Sequence, residues 1–168
     1  MKPTIRFREY KTSDKQALIV LQNELMDHFL TKDRIGIFRR QKNYGSLYLS
    51  YCLKEVKKQR GRVYLALDGD KLVGFVIGAI YKKVTPLELS FYKPIKSGYI
   101  FLIYVTKAYQ KHRIGGRLMD MMETYFKQQD CDIVRLDATG SHTSPYKYYR
   151  KRDYRAWAVD MIKPLKRL

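Results

Sequence analysis

The sequence predicts an α/β domain, a mixed sheet flanked by helices. Three observations carry that expectation. Apolar residues recur at helical spacing around Leu18–Phe29 and Ile114–Tyr125. They alternate or run together in the β-branched and aromatic stretches Arg62–Leu67, Lys71–Tyr81 and Gly98–Val105. The order strand, turn, helix, strand over Tyr99–Ala138 is that of a right-handed crossover unit. A chain of 168 residues suits one core, so one domain is expected over residues 1–168.

The elements follow in order. Thr4–Arg8 alternates apolar and basic residues, with Ile5 and Phe7 inward, as a short edge strand does. Ser13-Asp14-Lys15-Gln16 has capping-box spacing. Behind it, Leu18, Leu21, Leu25 and Phe29 share one helical face. Asp33–Gln59 is polar and aromatic, and Gly36, Asn43 and Gly45 break it. A broken helix or two short ones are expected there, with Leu49, Leu53 and Val56 suiting the second. Arg62–Leu67 and Lys71–Tyr81 read as strands joined at Asp68-Gly69, because a tight turn needs positive φ. Thr85–Lys96 holds two prolines and reads as a loop. Gly98–Val105 is a buried strand, and Ile114, Leu118, Met121, Met122 and Tyr125 make Ile114–Gln128 an amphipathic helix. Asp132–Ala138 is another buried strand. Pro145–Arg152 suits a short helix, with Pro145 in its first turn, and Tyr154–Ile162 returns to strand.

Composition narrows the function classes. The apolar fraction of 45% argues against disorder. No apolar run approaches the ~20 residues that span a bilayer. Met1-Lys2-Pro3-Thr4 lacks the apolar core of a signal peptide, so a cytoplasmic location and no membrane partner are expected. Cys52 and Cys131 read as free, reduced thiols. No His, Cys or Asp cluster has metal spacing, so no metal is expected; His28 and His112 read as a helix-face and a loop residue. The net charge of +18 attracts anions: nucleic acid, anionic cofactors, acidic protein surfaces or anionic lipid. It fits equally a basic solvated surface.

Between the central strand and its helix lies Thr106-Lys107-Ala108-Tyr109-Gln110-Lys111-His112-Arg113-Ile114-Gly115-Gly116-Arg117. The first turn of a helix has N–H groups without helical partners, and these and the helix dipole attract phosphate. Gly115 and Gly116 remove side chains, so a phosphate can approach the backbone. Lys111, Arg113 and Arg117 add positive charge. The competing account is a solvated basic helix start whose glycines permit close packing.

Val105–Leu118 resembles the acetyl-CoA loop of the GNAT N-acetyltransferase superfamily. The family pattern is Arg/Gln-x-x-Gly-x-Gly/Ala, after a strand and opening a helix. Gln110 matches its first position and Gly115 its last, while Arg113 stands where the first glycine is usual. The second half of the pattern is an aromatic-Tyr-x-x-x-Gly-Phe segment. Tyr148-Tyr149-Arg150-Lys151-Arg152-Asp153-Tyr154 resembles it, with Asp153 in place of glycine and Tyr154 in place of phenylalanine. The resemblance is clear over Gly98–Ile162; before that, only the order of elements agrees.

The resemblance implies a single-domain GNAT-like fold, with a mixed, mostly antiparallel central sheet flanked by helices, and acetyl-CoA as co-substrate. Pantetheine would pair with the backbone of Ile103, Tyr104 and Val105 like an added strand. The remaining cofactor contacts carried over are Gln110, Lys111, His112, Arg113, Ile114, Gly115, Gly116 and Tyr149. An amine would attack the thioester directly, the Val105 N–H would stabilise the oxyanion, and Tyr149 would protonate the departing thiolate. Without the motif, Tyr149 reads as a half-buried structural residue, one of fifteen tyrosines. Many family members use a carboxylate near the start of the central strand as base, or a water chain. Tyr99–Val105 contains no carboxylate, which leaves Glu88, Asp137 and His142. Ser141-His142 has no third partner or nucleophile elbow, so a hydrolase is not indicated.

The rival function is nucleic-acid-directed. Tyr146–Arg155 interleaves aromatics with cations, which can stack bases and hold phosphates. Tyrosines turned to the core and cations turned to water would give the same pattern. An acetyltransferase acting on an RNA-borne amine, of aminoacyl-tRNA type, joins both readings; a non-catalytic RNA-binding module is the other alternative. The acceptor, a small molecule or a protein amine, is expected against the N-terminal helices and the Lys82–Lys96 loop. Phe29, Phe38, Tyr44, Phe91 and Tyr92 lie there, as pocket lining or packing. The sequence is compatible with a monomer or a homodimer.

Overall fold

A computed structural model describes residues 4–81, 86–138 and 144–166, without the side chains of Pro86 and Glu88. One five-stranded sheet runs in the order β1-β2-β3-β4-β5: β1 (Ile5–Glu9), β2 (Arg62–Asp68), β3 (Lys71–Tyr81), β4 (Ser97–Val105) and β5 (Ile133–Leu136). The first four strands are antiparallel, and β5 joins β4 in parallel. The helices are α1 (Lys15–Lys32), α2 (Tyr44–Lys58), α3 (Pro86–Leu89), α4 (Ile114–Gln128) and α5 (Ser144–Arg150). No helix among the described residues is long and apolar enough to cross a membrane.

Each face of the sheet buries one helical layer. On one side Leu18, Leu21 and Leu25 of α1 and Leu49 and Cys52 of α2 pack on Leu65, Phe75 and Ile77. Leu53 and Val56 are partly buried against that cluster. On the other side Ile114, Leu118, Met119, Met122 and Phe126 of α4 cover Val73, Val76 and Ile100. Met119 takes the buried place expected of Met121, which is only half-buried. Contact between α4 and the sheet is close: a Cβ on Gly98 would lie 2.3 Å from the Phe126 ring.

Several expectations need correction. The Ser13–Gln16 capping box does not form, because a short turn, Thr12–Asp14, precedes α1. Asp14 instead accepts the Lys11 N–H at 2.7 Å and grips the Arg8 guanidinium with both oxygens. Gly45 does not break a helix; it lies in α2, where a Cβ would fall 2.5 Å from the Asn23 amide oxygen. The hairpin turn falls on Gly69-Asp70, one residue later than expected, because Asp68 pairs with Lys71 across a register shift at Ala66/Leu67. Only Gly69 takes positive φ there, 58°. A short helix, α3, occupies part of the Thr85–Lys96 loop, and α5 stops at Arg150, short of Arg152.

The larger corrections concern the last strands. β5 is shorter than Asp132–Ala138, because it keeps step with β4 only from Ser97↔Ile133 to Ile100↔Leu136. Tyr154–Ile162 is not a strand. Its apolar residues alternate, but no sheet edge among the described residues receives its backbone; Trp157, Val159 and Met161 stay 79%, 67% and 88% exposed.

Candidate active site

β4 parts from β5 after Ile100. Phe101 is a bulge, since Ile100 faces Gly78 while Leu102 faces Ile77. Beyond it, the β5 side of β4 has no strand partner among the described residues. The Thr106 N–H donates to the Val73 carbonyl at 2.9 Å, which fixes the alternation. Thr106 and Tyr104 therefore turn their backbone groups to β3, whereas Val105 and Ile103 turn theirs into the gap. Of the three residues expected to pair with pantetheine, Ile103 turns its N–H and carbonyl into the gap and Val105 its N–H. Tyr104 offers its side chain instead, on the α1 face, where its hydroxyl is 3.4 Å from Glu24 Oε2.

The end of β4 runs into the motif loop. Gln110 Nε2 donates to the Val105 carbonyl at 3.0 Å and folds the loop back on the strand. Its side chain is thus engaged with the protein, and its backbone N–H donates to the Lys107 carbonyl at 3.3 Å. Tyr109 donates to Asp68 Oδ2 at 2.8 Å and tethers the loop to the β2–β3 turn. That bond is the main reason its phenol pKa is raised. Lys111 and Arg113 both take left-handed backbone, φ 68° and 61°, and with His112 they are exposed. Arg113 is the N-cap of α4, without a side-chain cap bond. The ladder starts with Arg117 N–H to the Arg113 carbonyl at 3.0 Å, so the N–H groups of Ile114, Gly115 and Gly116 precede it. The nearest atom to a Cβ on Gly115 would be a Val105 methyl at 3.8 Å; on Gly116, the Tyr148 hydroxyl at 3.9 Å. These glycines open space rather than admit a neighbour.

α5 lies against this helix start. Tyr149 packs on the α4-side core between the rings of Tyr148 and Tyr154, at 5.4 and 5.7 Å. Burial, then the neighbouring Tyr148, pushes its pKa up to about 12. Its hydroxyl has no hydrogen-bond partner among the described residues. Arg152 reaches Asp120 at 2.6 Å and Glu123 at 2.9 Å, and Tyr154 donates to Glu123 at 2.9 Å. This clamp fixes the turn after α5, where Asp153 takes φ 65°. Both positions where another residue replaces a family glycine are thus left-handed here, although Arg and Asp occupy them. On α5, Lys147 and Arg150 face solvent while Tyr149 turns inward.

Of the base candidates, the Glu88 side chain and His142 lie outside the described residues. Asp137 follows the last paired residue of β5 and accepts the Tyr99 hydroxyl at 2.5 Å. Tyr99 was not singled out in the sequence; its only signal was inclusion in a buried-strand run. Among the acceptor aromatics, Phe29 stacks on Phe38 at 5.5 Å and Tyr44 on Tyr48 at 5.7 Å, Tyr92 meets Trp157 edge-on, and Phe91 is exposed. No group of three or more His, Cys, Asp or Glu residues suited to a metal occurs among the described residues.

Fold and site together define a mixed-sheet α/β protein whose parted central strand feeds an open helix N-terminus. The chain belongs to the acetyltransferase (GNAT) family, whose sequence profile matches residues 23–154. No curated protein matches the sequence. Solved structures share the fold at low identity. A tetramutant of the BH1408 protein from Bacillus halodurans is 18% identical, with TM-score 0.79 over 95% of this chain and 99% of that one. An aminoglycoside acetyltransferase from an uncultured soil metagenomic sample is 17% identical, with TM-score 0.65 over 96% and 97%. Glucosamine-6-phosphate N-acetyltransferase from Arabidopsis thaliana is 16% identical, with TM-score 0.64 over 97% and 99%.

Proposed function

We propose that this protein transfers an acetyl group from acetyl-CoA to a primary amine by direct attack in a ternary complex. One observation carries the reading: the unpaired edge of β4 runs straight into the uncapped, glycine-opened start of α4. An extended ligand with a phosphate end fits that continuity of donors. When bound, acetyl-CoA supplies the acetyl group activated as a thioester.

The chain's residues divide the work. Ile103 and Val105 present backbone to the pantetheine arm, as an edge strand receives another. The N–H groups of Ile114, Gly115 and Gly116 receive the pyrophosphate, with the charges of Lys111, Arg113 and Arg117 around it. The Val105 N–H stabilises the oxyanion as the amine adds. Tyr149 holds its proton at the hydroxyl and delivers it to the departing thiolate. Elevation of its pKa keeps that proton in place at neutral pH.

Acetyl-CoA consumption screened over peptide N-termini, lysines, amino sugars and aminoacyl-tRNA tests the reading. Turnover with one amine class, and saturable acetyl-CoA binding by calorimetry, are expected. Absence of acetyl-CoA binding would overturn it. The outward cations of α5 favour a second form in which the amine is carried on RNA. RNA binding without acetyl-CoA affinity would leave only a binding module; acetyl-CoA binding that RNA does not displace supports the enzyme.

A further inference from the structure

The gap between β4 and β5 has two sides, and the proposed cofactor contacts use only one of them. Tyr149 stands on the α4 side. On the α1–α2 side, the first residue past the paired part of β5 is a carboxylate, Asp137. Tyr99 Oη donates to it at 2.5 Å. The Tyr99 ring lies 5.7 Å from that of Tyr81 and 5.3 Å from that of the bulged Phe101. Tyr48 of α2 packs on the same α1–α2-side cluster as Phe101, and after burial the Asp137 charge adds to the elevation of its phenol pKa. The Tyr99 phenol is raised by burial first and then by Asp137, so it donates to the carboxylate at neutral pH. Arg135, two residues back on β5, is the cation that Tyr99 senses.

On a chain of net charge +18, Asp137 sets a carboxylate against the aromatic rings of this face. Its chemistry selects a cation. Carboxylate oxygens accept the N–H bonds of an ammonium, and ring faces attract its charge. Its position suits a nucleophile, since it enters the gap opposite the proposed leaving-group acid. Resting on the acetyl-transfer reading, we infer that Tyr99 and Asp137 seat the acceptor amine. The acceptor is then a cationic primary amine that carries no anionic group.

The proton balance closes. The incoming ammonium releases one proton before attack. The nitrogen forms its bond to the acetyl carbon, and the carbon–sulfur bond breaks. Tyr149 gives its proton to the sulfur and is reprotonated by the second proton leaving the nitrogen. Asp137 takes the first proton and passes it to water at its exposed side. The products are the amide, CoA thiol and one proton in solution.

Two probe amines separate the outcomes: tyramine, cationic without an anionic group, and glucosamine 6-phosphate. The wild-type protein should use tyramine with kcat/KM about 10-fold or more above that for glucosamine 6-phosphate. Asp137→Asn should lower kcat/KM for tyramine about 100-fold, with acetyl-CoA affinity unchanged. Tyr99→Phe, which keeps the ring, should lose less and mainly in KM, because Tyr99 positions Asp137. Asp137→Lys should shift the preference toward the phosphate-bearing amine. An unaffected Asp137→Asn enzyme, a wild-type preference for glucosamine 6-phosphate, or no turnover of tyramine despite intact acetyl-CoA binding each overturns the inference. Loss of acetyl-CoA binding in the wild-type protein would instead overturn the reading beneath it.

Discussion

Arg113 shows why its position favours glycine. At φ 61° its Cβ crowds the following carbonyl, a strain of about 1 kcal/mol that glycine lacks. Arg113→Gly should therefore raise stability toward urea by up to ~1 kcal/mol, less what the freer unfolded chain gives back. It should leave acetyl-CoA affinity within about 2-fold, because the backbone N–H survives. A loss of about 10-fold or more would place the guanidinium itself on a phosphate. Tyr149 makes a different prediction. Its pKa is pushed up to about 12 by burial, so the buried neutral phenol stabilises the fold. That contribution is complete below the ordinary phenol value near 10 and is lost as pH rises toward the folded value. The sign holds for catalysis too. The rate should climb as the amine deprotonates and show no fall attributable to Tyr149 below about pH 11. Tyr149→Phe should lower kcat about 100-fold with little change in acetyl-CoA affinity; an unchanged rate would remove its role as acid.

Elements were legible where one periodicity named both the element and its partner. Ile114–Gln128 was read with its observed bounds, because a single apolar stripe on a helix implies a sheet beneath it. The Leu18–Phe29 face and the Lys71–Tyr81 strand were legible for the same reason. Tyr154–Ile162 failed because alternation describes a strand's faces and not its edges; pairing depends on a neighbour far away in sequence. β5 was overestimated likewise, as nothing in Asp132–Ala138 announces that β4 diverges after Ile100. The motif loop was legible as the connection from β4 to α4, but the turn of Gln110 onto the Val105 carbonyl was not, since it depends on loop conformation. The contact of α4 with β4 gives a packing test. Gly98→Ala puts a methyl into the Phe126 ring and should cost about 1–3 kcal/mol in urea denaturation. Phe126→Leu in the same chain should recover part of that loss; no cost for Gly98→Ala alone would mean α4 sits farther from the sheet.

At the scale of the molecule, charge and site have to be weighed together. The +18 charge is spread over a surface on which few cations are paired: Arg8, Arg40, Arg62 and Arg152 are the ones in ion pairs among the described residues. Such a field draws in a polyanion from beyond contact distance, then contributes little to a neutral ligand. Acetyl-CoA carries its charge on phosphates, and its reactive end is neutral. Raising the ionic strength from about 20 to 300 mM shortens the Debye length from roughly 20 to 6 Å. Affinity for acetyl-CoA should then fall about 10-fold, mostly through slower association. S-acetylpantetheine keeps the thioester and the arm but lacks the phosphates, so its binding should be nearly insensitive to salt. Equal salt dependence of the two ligands in calorimetry would separate the charge from cofactor capture. The basic surface would then serve another anion, and RNA would become the first to test.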